Sequence, residues 1–119
     1  MLFRSDGVTV ARSFHELEDQ VEDLGAQLVK QVSIKSANEA GDGTTTSTLL
    51  ATTMVEEGLK LINQGSNPVE VKKAIDKYVA LVVEELRKTS QDVANQQQIK
   101  EVATISANGD TEVGELIST

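Results

Sequence analysis

The chain has 119 residues and a net charge of −8, with 19 acidic side chains against 11 basic ones. This length fits one domain of ordinary size, and the acidic balance argues against sequence-independent nucleic-acid binding, which needs a basic face. The sequence contains no cysteine, which excludes disulfides, thiolate metal sites and cysteine nucleophiles.

The N-terminal segment predicts extended structure followed by the start of a helix. Asp6-Gly7 is a strong turn dipeptide and Val8-Thr9-Val10 is a β-prone run, which together predict a short β-hairpin or strand. Ser13-Phe14-His15-Glu16 has the S-x-x-E form of a capping box, in which Ser13 and Glu16 satisfy free amides at a helix N-terminus. The first helix is therefore predicted to begin at Ser13.

Several helical patterns follow this segment. Apolar residues spaced by three or four positions mark the first helix, namely Leu17, Val21, Leu24, Leu28 and Val32. A second helix is predicted after the loop that ends near Thr46, with apolar residues from Leu49 to Ile62 and Gly65 placed to end it. A third is predicted from Asn67-Pro68, a fourth around residues 99–105 and a fifth from Val113. The predicted fold class is mainly α, an antiparallel-type bundle of about four to five helices with a short N-terminal β-hairpin or strand.

The two ends of the chain predict that further structure lies outside it. The extended N-terminal segment has no evident partner strand, and the last helix is short although it has an apolar face. We therefore expect the chain to be an internal piece of a larger protein. No stretch approaches the roughly 18 apolar residues of a membrane helix, and no signal-peptide pattern is found.

One segment has unusual chemistry, the run Gly41-Asp42-Gly43-Thr44-Thr45-Thr46. Two glycines allow close approach of the backbone to a ligand, and the following helix start offers unpaired amides and a positive dipole end. Three threonine hydroxyls add hydrogen-bond donors that suit phosphate oxygens. Asp42 beside a phosphate implies an intervening divalent cation such as Mg²⁺.

Other interpretations of these residues stay open on pattern alone. The Gly41 to Thr46 run is equally compatible with a glycine-flanked turn in which Asp or Thr caps a helix, and it is not a Walker A loop because no lysine follows the glycines. Asp6 is by default a turn residue. His15 has no second histidine or cysteine near it, so we expect no metal role for it.

Motifs along most of the chain resemble those of a known family, the group I chaperonins of the GroEL type (60 kDa chaperonins). The resemblance extends from about Asp6 to the C-terminus, and its two most specific motifs are the Gly41 to Thr46 run and Ala103-Thr104-Ile105-Ser106-Ala107-Asn108. Further matching segments in the same order are Asp6 to Ala11, Glu16 to Asp19, Leu24 to Lys30, Glu57 to Lys60, Asn67-Pro68 and Ile75 to Lys77.

The resemblance implies roles for individual residues in a Mg·ATP site. It implies that Asp42 coordinates Mg²⁺, that Asp6 lies near the γ-phosphate and assists hydrolysis as the catalytic residue, and that Ile105 and Ser106 lie near the nucleoside. The implied phosphate-loop residues are Gly41, Asp42, Gly43, Thr44, Thr45 and Thr46. The implied cofactors are ATP and Mg²⁺, with K⁺ as a further candidate ion. Residues 13–15 carry one residue more than the family spacing, which predicts a shift of Asp6 relative to Asp42.

The resemblance also implies an architecture and partners. Residues 1–90 would be part of an equatorial, ATP-binding domain, and residues 91–119 the equatorial tail and the start of an intermediate domain. Such chaperonins are homo-oligomeric ATPases of the cytoplasm or an organelle matrix that refold non-native polypeptides with a co-chaperonin, without nucleic acid or membrane partners. Since other parts of the family's site lie outside this chain, we expect weak nucleotide binding and negligible turnover.

A second hypothesis comes from a different class of protein. The exposed apolar stripes could pair two copies of a non-enzymatic helical module. The seam would then be formed by Leu17, Leu24, Leu28 and Val32, or by Val71, Val79 and Val82.

Overall fold

The computed structural model describes residues 6–119, and over this range it contains helices and no strand. The six helices are α1 (Gly7–Ser13), α2 (Gln20–Ala40), α3 (Thr44–Asn63), α4 (Pro68–Thr89), α5 (Gln96–Ser106) and α6 (Thr111–Ser118). The described residues divide into two units, one up to Glu84 and one from Glu85 to Thr119. None of the helices over residues 6–119 is long and apolar enough to cross a membrane.

The prediction of an N-terminal strand is wrong for the residues that the structure describes. Val8-Thr9-Val10 belong to α1, and the Val10 amide donates to the Asp6 carbonyl at 3.1 Å, closing the first helical turn. Val8 is buried. A β-prone run without a partner strand leaves its backbone groups unpaired, whereas a helix satisfies them locally. The part of the predicted hairpin before Asp6 lies outside the described residues.

The predicted capping box is also wrong. Ser13 is the last residue of α1, and its hydroxyl donates to the Val10 carbonyl at 2.8 Å instead of capping a new helix. Helix α2 begins at Gln20, where one oxygen of the Asp19 carboxylate accepts from the amides of Val21 and Glu22 at 2.8 and 3.0 Å. A charged carboxylate satisfies both amides and complements the helix dipole, which a hydroxyl at Ser13 does not.

The segment between α1 and α2 is held against the start of α2. Asp23 accepts from the Leu17 amide at 3.0 Å, and Lys30 donates to the Phe14 carbonyl at 3.4 Å. Leu17 therefore lies outside the helix, and the predicted apolar stripe begins at Val21 instead. Val21 is 80% exposed and Leu24 and Leu28 are exposed as well, whereas Val32 at the end of the stripe is half-buried.

The later helices begin where the sequence predicts within a few residues. Asn67 accepts from the Val69 amide at 2.8 Å ahead of Pro68, and Asn95 and Asp110 cap α5 and α6 with their side chains. The mainly helical fold is thus confirmed. The helix count over residues 6–119 exceeds the predicted four to five because α1 replaces the strand.

The first unit packs α1, α2 and α3 together. Helices α2 and α3 form a helical hairpin across the three-residue turn that starts at Gly41, and α1 contacts both of them. Its buried positions are the apolar Val8 and three small or polar residues, Ser33, Thr44 and Gly58. Ser33 is fully buried, and its hydroxyl has no hydrogen-bond partner. Small side chains here let the helix backbones approach closely.

The second unit packs α5 against α6. Gly114 and Ala103 are buried where these helices meet, and Lys100 pairs with Glu115 across the contact. An apolar groove of about 420 Å³ lies beside them. The groove is lined by Val93, Ile99, Val102, Ala103 and Ile117.

Candidate functional site

The turn between α2 and α3 depends on two glycines in left-handed conformations. Gly41 ends α2 with φ of 71°, and its amide donates to the Ala37 carbonyl at 3.1 Å. Gly43 precedes α3 with φ of 74°. Residues with a Cβ rarely adopt such values, so the sequence Gly-x-Gly is what allows a turn this short.

Asp42 lies at the tip of this turn and is exposed. One of its carboxylate oxygens accepts from the Gly43 amide at 2.6 Å, which fixes the side chain against its own turn. Mg²⁺ in proteins is usually held by one or two carboxylates together with phosphate oxygens and water. Asp42 offers one such exposed carboxylate, directly before the start of α3.

The first turn of α3 supplies that surface. The N-cap position is Gly43, which has no side-chain acceptor for the amides of Thr44, Thr45 and Thr46. The positive end of the helix dipole lies at the same place. These amides and the adjacent hydroxyls therefore form a surface that attracts an anion.

Asp6, which directly precedes α1, also contacts the start of α3. Its Oδ1 accepts from the Thr44 hydroxyl at 2.6 Å, although the two residues are 38 positions apart in sequence. Thr44 is 6% exposed. The contact brings Asp6 to the start of α3, and the predicted shift of Asp6 relative to Asp42 stays a prediction.

A close approach of α1 to α3 makes this contact. A Cβ built on Gly7 would lie 2.6 Å from the amide nitrogen of Thr45, so only glycine allows the two helix starts to pack this tightly. From sequence alone, Gly7 was predicted only as a turn residue. The feature that could have indicated a close contact was its position directly after the candidate site residue Asp6.

The electrostatics of Asp6 favour its charged form. The hydrogen bond from Thr44 lowers the pKa of the Asp6 carboxyl below its ordinary value of 3.8, and this outweighs the opposite effect of partial burial. A weaker contribution comes from Thr9, whose hydroxyl donates to the other carboxylate oxygen at 3.4 Å. Asp6 is therefore an ionised acceptor at neutral pH.

This lowered pKa predicts an acid-dependent loss of stability. Because the pKa of Asp6 is lower in the folded state, its contribution is present above the unfolded pKa and is lost as pH falls through the folded pKa. We expect Thr44→Val to return the pKa of Asp6 toward 3.8, measured by carboxyl NMR titration. Thr53→Val, an exposed threonine on the same helix, is the control and should leave that pKa unchanged. An unchanged Asp6 pKa in Thr44→Val would contradict this explanation.

The two predicted nucleoside residues lie in the other unit. Ser106 is the last residue of α5, and Ile105 beside it is 67% exposed. The structure describes this unit separately from the one that contains Asp6 and Asp42. A role of Ile105 and Ser106 near a nucleoside stays a prediction.

A polar cleft of about 700 Å³, which no sequence motif predicted, lies beside the segment that joins α1 and α2. Its charged lining has both signs, with Arg12, Lys30, Glu16 and Asp23, and His15 also lines the cleft. Over residues 6–119, no group of three or more histidine or acidic side chains is arranged to hold a metal ion.

Comparison with known protein families gives an assignment. The family model described as "TCP-1/cpn60 chaperonin family" matches residues 2–119, which include every described helix and both units. The chain belongs to the TCP-1/cpn60 chaperonin family.

Proposed function

We propose that this chain carries part of the Mg·ATP site of a group I, GroEL-type chaperonin. The observation that supports the proposal most strongly is the 2.6 Å hydrogen bond between Asp6 and Thr44. It joins the proposed hydrolytic carboxylate to the proposed phosphate loop. A residue that only formed a turn would not need this contact with a residue 38 positions away at the start of a glycine-flanked helix.

Each part of the site has a distinct role in this proposal. The amides of Thr44, Thr45 and Thr46 and the hydroxyls of Thr45 and Thr46 hold phosphate oxygens at the positive end of α3, while the single hydroxyl proton of Thr44 stays on Asp6. Asp42 holds Mg²⁺, which supplies charge neutralisation when bound. Asp6, ionised and fixed by Thr44, orients a water molecule and accepts hydrogen bonding from it. Positioning and charge complementarity account for most of the acceleration in phosphoryl transfer.

The proposal extends to the whole protein's activity. Binding and hydrolysis of ATP would drive refolding of non-native polypeptides, in a homo-oligomer that acts with a co-chaperonin in the cytoplasm or an organelle matrix. Residues 1–90 would belong to the equatorial domain, and residues 91–119 to its tail and the start of the intermediate domain. K⁺ is a further candidate ion at the phosphates.

Calorimetric titration with ADP in the presence of Mg²⁺ tests the site. We expect weak, saturable binding by the unaltered chain, and at least about tenfold weaker binding by Asp42→Ala, because the metal between protein and phosphates loses its charged protein ligand. Asp92→Ala is the matched control, since Asp92 is an exposed aspartate outside every helix. It should bind as the unaltered chain does.

Two results of this titration would contradict the proposal. One is equal affinity of the unaltered chain and Asp42→Ala, which would exclude Asp42 as a ligand. The other is binding that does not depend on Mg²⁺. Circular dichroism of each variant shows whether its helices are intact, so that a loss of binding is assigned to the site and not to unfolding.

A further inference from the structure

Two serine hydroxyls connect α2 and α3 close to the loop. The Ser36 hydroxyl donates to the Ser47 hydroxyl oxygen at 2.7 Å, and both side chains are partly buried. This hydrogen bond joins the last two turns of α2 to the first turn of α3. It therefore links the two helix ends between which the Gly41 to Gly43 turn runs.

The connection continues from Ser47 to Thr44. The Ser47 hydroxyl donates to the Thr44 carbonyl at 3.1 Å, and a serine hydroxyl has one proton, so Ser47 accepts from Ser36 and donates to Thr44. Thr44 in turn donates its own hydroxyl to Asp6. The Thr44 carbonyl also accepts a shorter bond from the Thr48 hydroxyl at 2.7 Å, so Ser47 is one of two side chains that bond to it and provides the connection to α2, while the Thr44 hydroxyl is held by Asp6.

The Gly41 to Gly43 turn does not by itself fix the spacing between the end of α2 and the start of α3. Gly41 and Gly43 both have positive φ, and glycine has more conformational freedom to lose than any other residue. The spacing of the two helix ends must then be set by contacts between the helices. Ser36 and Ser47 make the side-chain hydrogen bond between α2 and α3 that lies nearest the loop among those of the described residues.

We infer that Ser36 and Ser47 are positioning residues that hold Thr44 in the conformation in which it contacts Asp6. They act through Thr44 and contact neither the proposed phosphates nor the proposed metal. The inference deepens the proposed function and rests on it for its consequence in nucleotide binding. The positioning of Thr44 itself is measurable without any nucleotide.

The test uses Ser36→Ala, Ser47→Ala and the double variant. Alanine has a higher helix propensity than serine, so these substitutions favour folding of α2 and α3. Thr53→Ala is the control, because its hydroxyl makes a similar bond to the Leu49 carbonyl on α3 but lies exposed, away from α2. The first readout is the set of three-bond NMR couplings that report the side-chain rotamer of Thr44 in the free chain.

We expect a single Thr44 rotamer in the unaltered chain and in Thr53→Ala, and rotamer averaging in Ser47→Ala. Ser36→Ala should show partial averaging, and adding it to Ser47→Ala should change nothing further, because its partner is already absent. Loss of packing alone would give additive effects instead. The corresponding Mg·ADP affinity should fall about fivefold in Ser47→Ala, as expected for one net hydrogen bond.

The outcomes separate the inference from the proposed function. A single Thr44 rotamer in both Ser36→Ala and Ser47→Ala overturns the inference, whatever the affinity for Mg·ADP. Additive effects in the double variant also overturn it. If the rotamer responds as expected but the unaltered chain binds no Mg·ADP, the positioning of Thr44 stands and the proposed function fails.

Discussion

Replacing Gly7 by alanine is expected to destabilise the first unit by roughly 2 kcal/mol, which is typical of overpacking at a close contact. The new Cβ would lie 2.6 Å from the Thr45 amide nitrogen and 2.7 Å from its Cα. Both are backbone atoms in the first turn of α3, so no rotation of a side chain relieves the overlap. Helix α1 must move away from α3.

The displacement of α1 has a second consequence at the proposed site. Asp6 directly precedes Gly7, so moving α1 breaks the hydrogen bond from Thr44 and returns the pKa of Asp6 toward its ordinary value. Urea unfolding measures the stability change, and carboxyl NMR titration measures the pKa. Both effects should appear together, because they have one cause.

Gly25→Ala is the control for this substitution. Gly25 lies inside α2, and a Cβ there meets no atom within 4 Å. Alanine in a helix interior is more favourable than glycine by about 0.5–1 kcal/mol, so we expect Gly25→Ala to stabilise the chain. If Gly7→Ala were as stable as Gly25→Ala, the close packing of α1 on α3 would be wrong.

Gly114→Ala is expected to have a comparable effect in the second unit. A Cβ at Gly114 would overlap the Thr104 hydroxyl and lie 2.9 Å from the Lys100 carbonyl oxygen, where α6 crosses α5. The threonine side chain can rotate, but the carbonyl is part of the α5 backbone. We expect a loss of about 2 kcal/mol and faster hydrogen exchange at the amides of α5 and α6.

Two further variants locate the cause of this loss. Thr104→Ala in the Gly114→Ala background should recover part of the stability, because it removes one of the two overlaps. Gly58→Ala is the control for burial, since Gly58 is buried but a Cβ there would make ordinary contacts of 3.6 and 3.7 Å with Val71 and Ile75. Equal destabilisation by Gly58→Ala and Gly114→Ala would contradict the overlap at the α5–α6 crossing.

Local signals in the sequence predicted most of the helices but misled at the N-terminus. The ends of helices could be recognised where single residues have strong backbone preferences. Gly41 and Gly65 favour the ends of α2 and α3, and Asn67-Pro68 favours the start of α4. Val8-Thr9-Val10 favours a strand by composition, yet it packs as a helix against α3. Asp19, and not the predicted Ser13, caps α2, and the sequence pattern alone did not distinguish the two residues.

In the candidate site, too, features local in sequence could be predicted and contacts between distant residues could not. The Gly41 to Thr46 loop was predictable because glycines and hydroxyls lie together in sequence. The contact of Asp6 with Thr44 joins residues far apart in the chain, and before the structure only a family resemblance connected them. The Ser36–Ser47 bond gave no signal, since serines in helices usually face solvent or bond to their own backbone.

The measurement that tests the account most directly is an amide NMR map of the chain during titration with Mg·ADP. The account predicts saturable shifts centred on residues 42–46 and on Asp6, which are greatly reduced in Asp42→Ala and unchanged in Asp92→Ala. Shifts centred instead on the cleft around His15, or no shifts in a chain whose amide spectrum shows it folded, would contradict the claim that this loop binds a magnesium nucleotide.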